Sequence, residues 1–271
     1  MGRKADSMSF LDHLEVLRGH LIRSAISIVV FTVGAFMLKD FIFNTILLAP
    51  MNSGFITNRL FCELGRMLNT ENLCINSEPL ELISIELAGQ FRVHLLISFI
   101  SGLIIGFPYI LFEFWRFIEP ALKPKEKRYS NGMVFYSSML FFTGVAFGYF
   151  LIVPLTINFL GGYEVSFMVE NQINIRSYIS TVSTLGLATG IVFELPILVY
   201  FFSKIGLVTP EFLRKYRKHS IVIFFILAGI ITPPDVISQI LVSLPLYILY
   251  EISIVISGRV IKKQEEELEA E

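Results

Sequence analysis

Residues Ser220–Ser257 read SIVIFFILAGIITPPDVISQILVSLPLYILYEISIVIS, one apolar block cut by Thr232-Pro233-Pro234-Asp235. Two prolines and an aspartate end a helix, because proline has no backbone N–H and its ring clashes with the preceding turn. The block therefore divides into two helices, about Ser220–Ile231 and about Val236–Ser257. The first is short against the roughly 20 residues that span a bilayer. Lys218 and His219 can extend it, and the bilayer can thin locally. Working back toward the N-terminus, four longer apolar runs appear: about Tyr178–Phe202 with Glu194 and Pro196 inside it, Met133–Leu155, Val93–Phe114 interrupted by Pro108, and Ile22–Leu38. The sequence thus predicts an all-α integral membrane protein with six transmembrane helices, kinked, of which helices five and six are short.

Composition agrees. Of 271 residues 54% are apolar, 26 are Phe and only 17% are charged, below the usual quarter for soluble domains. Mean hydropathy is +0.67. Net charge is −1, which gives nucleic acid nothing to bind. No polar stretch is long enough to build a soluble domain. Arg3 and Lys4 could open a signal peptide, but the first apolar run is too long for one and ends at Lys39-Asp40 without a small-x-small cleavage site. It is read as a retained helix.

Lys and Arg in short loops set orientation. They gather at the N-terminus (Arg3, Lys4, Arg18, Arg23) and after helix two (Arg116, Lys123, Lys125, Lys127, Arg128). They gather again after helix four (Lys204, Arg214, Lys215, Arg217, Lys218) and in the tail (Arg259, Lys262, Lys263). The alternate loops are poor in them. Six spans with both termini cytoplasmic satisfy every loop. The long first loop, residues 39–92, is then external and holds both cysteines, Cys62 and Cys74. Either a disulfide or two unpaired thiols fits the sequence. An oxidising exterior favours the bridge, which would contribute on the order of 3 kcal/mol. Residues 1–260 read as one transmembrane domain and 261–271 as an acidic cytoplasmic tail.

Several segments hold more than composition. Phe10–Leu21 is an amphipathic helix: Phe10, Leu14, Leu17 and Leu21 form one stripe and Asp12, Glu15 and Gly19 face away. It is expected along the cytoplasmic interface, and a plain surface anchor is its simplest use. Phe107–Leu122 is aromatic where helix two leaves the membrane; a belt plus a positive-inside loop explains its composition but not its order. Glu194 lies in Phe193-Glu194-Leu195-Pro196 within helix four. A charge at mid-membrane costs roughly 2.5–3.5 kcal/mol, so it must be neutral, paired or wet, and function is favoured over structure. Gly102/Gly106, Gly144/Gly148 and Gly186/Gly190 permit close helix approach; packing within the chain is the first reading, a homo-oligomer face the second. No enzyme motif is present, the four histidines (13, 20, 94 and 219) are scattered, and no metal or cofactor is expected.

In this order the motifs resemble the TatC family of twin-arginine translocation. His13-Leu14-Glu15-Val16-Leu17-Arg18 is similar to the family's opening H-L-x-E-L-R. Trp115, Phe117, Pro120, Ala121, Leu122, Glu126 and Lys127 are similar to its W-x-F-x-x-P-[GA]-L followed by E-[KR]. Phe193-Glu194-x-Pro196 matches F-E-x-P, and Thr232 to Gln239 matches T-P-P-D-x-x-S-Q in the last external turn. The resemblance covers about residues 8–260. Two positions depart from it: Val16 stands where the family has an acidic residue, with Glu15 one position earlier and rotated about 100° on a helix, and His20 stands where the family has a basic residue.

The resemblance implies a receptor without catalytic chemistry in the bacterial cytoplasmic membrane. Its ligand would be a signal peptide with consecutive arginines, whose guanidinium groups pair well with carboxylates. Glu15, Arg18, Glu126 and Lys127 are the implied signal-peptide residues. Glu194, Pro196 and Gln239 are the implied intramembrane docking residues, and Thr232, Pro233, Pro234 and Asp235 form the external turn. Implied partners are TatA/TatB-type single-span proteins and membrane lipid, with the proton-motive force as energy source. The alternatives are a secondary transporter using Glu194 as its ion or proton site, disfavoured because no internal repeat is visible, and an inert helical scaffold.

Overall fold

The computed structural model describes residues 10–70, 74–76, 80–118, 130–164, 166, 168, 171–232 and 236–269. Nearly all of the described chain is helical. In chain order the α-helices are α1 (Phe10–Met37), α2 (Ile56–Met67), α3 (Gly89–Ile118), α4 (Ser130–Phe147), α5 (Val153–Gly162), α6 (Ile175–Phe193), α7 (Leu195–Lys204), α8 (Pro210–Lys215), α9 (Arg217–Ile231) and α10 (Val236–Glu269). Wide π-helical turns at Phe41–Leu47 and Gly148–Ile152 and a 3₁₀ turn at Ala49–Met51 join them. Two short strands, β1 (Leu82–Ile83) and β2 (Ile173–Asn174), pair in parallel, with Leu82 opposite Ile173.

Five stretches among the described residues are long and apolar enough to cross a membrane: Leu14–Met37, Gly89–Ile118, Gly132–Gly162, Ile175–Lys204 and Gln239–Glu266. The sixth expected span corresponds to α9, whose 15 residues reach only about 22 Å against a hydrocarbon core about 30 Å thick. α9 ends at Ile231 because Thr232 is already extended (φ −103°, ψ 160°), as a residue before proline is; its backbone N–H and its hydroxyl both donate to the Ala228 carbonyl at 2.8 Å. Pro233, Pro234 and Asp235 lie outside the described residues.

Two expectations are corrected. Helix six is not short: α10 runs 34 residues to Glu269, passing Pro245 and carrying the helix into the acidic tail. There the Gln264 amide donates to the Lys204 carbonyl at 2.9 Å, and Lys262 and Glu266 approach to 3.8 Å one turn apart. The amphipathic N-terminal stretch is not a separate surface helix either, since α1 continues without interruption from Phe10 to Met37. Gly19 is the one flexible residue at the junction, and a single glycine weakens a helix without ending it.

Kinks fall where sequence chemistry puts them. Pro196 ends α6 and starts α7, with Glu194 at the joint at φ −71°, ψ −7°. Pro154 opens α5 straight after the π-helical turn. Pro108 and Pro245 sit inside α3 and α10, which continue through them.

The described residues within 1–38 and 95–138 form one compact unit, and those within 39–94 and 139–271 form a second. In the first, α1 packs on α3 through the expected glycine pair. A Cβ at Gly102 would lie 2.6 Å from the Thr32 backbone nitrogen, and one at Gly106 would lie 3.2 Å from the Phe31 ring. In the second, a Cβ at Gly144 would lie 2.7 Å from the Thr189 carbonyl, and one at Gly190 would lie 2.7 Å from Val145. Gly186 is different, because a Cβ there meets nothing within 4 Å.

The segment between Lys39 and Gly89, part of the second unit, is folded rather than a bare loop. Cys62 and Cys74 are joined by a disulfide. Asn58 donates to the carbonyls of Pro50 (3.0 Å) and Asn52 (2.8 Å). Asn76, at φ 50°, donates its backbone N–H to Asn158 Oδ1 at 3.1 Å and its side-chain amide to the Pro154 carbonyl at 3.0 Å. Tyr149 and Tyr178 donate to the carbonyls of Ile46 (2.6 Å) and Leu47 (2.7 Å). Buried backbone acceptors left over by the irregular turns are thereby satisfied.

Candidate functional site

The first unit contains a buried charged cluster. His20 and Arg23 are three residues apart on α1 and so project from one face. Glu113 on α3 meets them: Arg23 Nε donates to Glu113 Oε2 at 2.9 Å, and His20 Nδ1 lies 2.6 Å from the same oxygen. Glu113 is 2% exposed, His20 is buried and the Arg23 side chain is half-exposed. Phe117, one turn on, turns its ring edge-to-face with His20, with centroids 5.9 Å apart.

The local sequence explains why the three meet. Gly102, Gly106 and Glu113 fall on one side of α3, within about 40° at 100° per residue. Opposite them the antiparallel α1 presents Thr32, then Phe31 and Ser27, then Arg23 and His20. The glycines bring the two backbones together, and the carboxylate seals the end of the contact. A carboxylate in apolar surroundings needs a paired cation, and Arg23 supplies one that never loses its charge.

Glu15 and Arg18 lie earlier on α1, both exposed. Glu126 and Lys127, with Pro120, Ala121 and Leu122, lie outside the described residues between Ile118 and Ser130. Neither Glu15 nor Arg18 is covered by the described protein, and both are close in sequence to the His20–Glu113–Arg23 cluster. Sequence reading did not single out Glu113 or Arg23, although a lone carboxylate inside the aromatic run Phe107–Phe117 was the available signal.

In the second unit, Glu194 is buried at the α6–α7 joint. Phe193 beside it is covered by Gly144, and its ring packs on Phe147 with centroids 5.5 Å apart. Pro196 is buried in the first turn of α7. Gln239 is used to hold two helices together: its amide donates to the Phe225 carbonyl of α9 at 2.8 Å, and Gly229 leaves it room. Further ties between helices in this unit are Ser203 with Ser257 at 2.7 Å and Arg217 with Glu251 at 2.6 Å. Among the described residues no cluster of side chains is arranged to hold a metal ion.

Comparison with known proteins places these features. The family model described as Sec-independent protein translocase protein (TatC) matches residues 12–245. A Sec-independent protein translocase protein TatC from Blattabacterium sp. subsp. Periplaneta americana (strain BPLAN) is 41% identical over 97% of this chain and 100% of its own length. One from Aquifex aeolicus (strain VF5) is 37% identical over 96% of this chain and 98% of its own. Among solved structures, a crystal structure of twin arginine translocase receptor TatC in DDM superposes with a TM-score of 0.71 at 36% identity, covering 91% of this chain and 99% of that one. Residues 12–245 include the α1 cluster, the α6–α7 joint, four of the five membrane-length stretches in full and the start of the fifth.

Proposed function

The chain belongs to the TatC family, and on that premise we propose that it binds twin-arginine signal peptides at its cytoplasmic face and assembles with TatA/TatB-type single-span partners to export folded proteins using the proton-motive force. It is a multi-pass membrane protein and a translocase subunit, the receptor component of the twin-arginine system, not an enzyme. The observation that carries the reading is the family match from residue 12 to 245, which runs through every motif named for function.

In this reading the molecule sits in the bacterial cytoplasmic membrane as one domain, residues 1–260, with six spans and both termini inside. The sixth span is α9, completed by flanking polar residues and local thinning of the bilayer. Glu126 and Glu15 receive the paired guanidinium groups, each able to accept two parallel N–H bonds. Arg18 and Lys127 flank them as the family's basic neighbours. Arg23, further along α1, is engaged by Glu113 and so does not compete for Glu15. Glu194 and Pro196, with Gln239, form the polar intramembrane docking point for a partner helix, and Thr232–Asp235 forms the external turn.

Site-specific crosslinking of a twin-arginine signal peptide tests the reading. Glu126→Ala should abolish the crosslink while the protein stays inserted at normal levels, and Glu15→Ala should have a smaller effect because of the register shift at Val16. Unchanged crosslinking in Glu126→Ala would remove that residue from the site.

A further inference from the structure

Helix α2 is amphipathic the wrong way round for a segment in water. Its fully buried residues are Thr57, Asn58 and Gly65, with Asn58 tied down by its two carbonyl contacts and Phe61 half-buried beside them. The outward face is apolar. Ile56, Leu60, Leu64 and Met67 fall within about 80° at 100° per residue, with Leu68 just beyond. Their exposures are 58, 55, 50 and 81%, and that of Leu68 is 66%. Arg59, Glu63 and Arg66 line one edge of this stripe. A soluble loop would bury the leucines and present the asparagine, and a contiguous exposed apolar strip marks a contact surface.

Two observations identify what it contacts. The first is depth. The Thr57 hydroxyl donates to the Phe150 carbonyl, and Phe55 stacks on Phe150 with ring centroids 5.7 Å apart. Phe150 lies inside the membrane-crossing stretch Gly132–Gly162, about 18 Å of helix before its end. The N-terminus of α2 therefore sits beside the apolar wall of a span, not beyond its tip, and Phe150 in that wall is itself exposed. The second is fixed roll. Cys62 is bonded to Cys74, and Asn58 accepts from Asn76 at 3.3 Å. These ties hold the polar face on the protein and keep the stripe outward.

We propose that α2 is an interfacial membrane helix whose Ile56–Leu60–Leu64–Met67 stripe lies in the lipid leaflet on its own side of the bilayer, with Arg59 and Arg66 reaching the headgroup phosphates. Such helices bind through buried apolar area together with basic side chains that attract anionic lipid. The segment between residues 39 and 89 is then held to the membrane at a second place besides the span ends.

The test uses the full chain with its disulfide intact, reconstituted in mixed phosphatidylethanolamine–phosphatidylglycerol vesicles. Nitroxide labels are attached at Leu60→Cys, Leu64→Cys, Met67→Cys, Arg59→Cys and Arg66→Cys in separate variants. Stripe labels should collide with dissolved oxygen and be shielded from an aqueous nickel chelate, while the arginine-position labels show the opposite balance. Equal nickel access at both sets overturns the proposal. Stripe labels shielded from both reagents overturn it as well, in favour of a second copy if spin–spin broadening disappears on dilution with unlabelled chain, and of another protein segment if there is none. Leu64→Trp provides a readout free of added thiols: lipids brominated near the headgroup should quench its emission beyond the Trp115 background, and no added quenching would count against lipid contact.

Discussion

Glu113 and Glu194 are both carboxylates inside apolar helices, yet only Glu194 stood out in the sequence. Glu194 has a proline two residues on and no aromatic belt to explain it away. Glu113 sits among aromatics near a helix end, where composition alone looks like an interface. What made it legible in three dimensions was the partner helix: His20 and Arg23 lie ninety or more residues away in sequence, and no local pattern pairs them. Removing one member of a buried ion pair strands the others. Glu113→Ala should therefore destabilise the protein on the order of 3 kcal/mol, read as a lowered Tm in detergent. Glu113→Gln keeps an acceptor for Arg23 and should lose less. Equal stability of Glu113→Ala and wild type would mean the cluster is not a structural tie. For Glu194, polar docking requires a hydrogen-bonding side chain rather than a charge. Glu194→Gln should retain most export of a folded reporter and Glu194→Ala should lose it; normal export by Glu194→Ala at normal protein levels would exclude a role for this residue.

Among the elements, apolar runs located each long helix, and prolines located the breaks at Glu194 and Thr232. Helix lengths were less legible. Charged residues beyond Ser257 looked like a solvated end, but Glu and Lys are good helix formers, so α10 runs on through them. The glycine pairs were legible as packing devices but not one by one, because a G-x-x-x-G spacing does not reveal which glycine faces a neighbour. Gly144→Ala would push a methyl group to 2.7 Å from a backbone carbonyl and should cost about 1–3 kcal/mol. Gly186→Ala meets open space and should be neutral or slightly stabilising. Thermal unfolding of the two variants side by side separates them, and a similar loss in both would contradict the packing described. Reducing the Cys62–Cys74 disulfide should loosen the segment between residues 39 and 89 by on the order of 3 kcal/mol, seen as faster amide exchange in α2 with little change in α6 and α10.

For the molecule as a whole, composition and charge asymmetry were enough to fix a multi-pass helical membrane protein, and motif order pointed to the TatC family that the comparisons then established. The Cys62–Cys74 bridge was favoured from the sequence, but the fold it ties and the inverted polarity of α2 were not legible, because both depend on which face of a helix meets the rest of the protein. The central claim is that this receptor reads arginine pairs through carboxylates. It is tested most directly by titrating the purified protein with a fluorescent twin-arginine signal peptide and with its twin-lysine counterpart. Ammonium groups cannot make the paired, planar hydrogen bonds that guanidinium groups make, so the twin-lysine peptide should bind at least about tenfold more weakly, a difference of about 1.4 kcal/mol, and Glu126→Ala should erase that preference. Equal affinity for the two peptides in the wild-type protein would contradict the account.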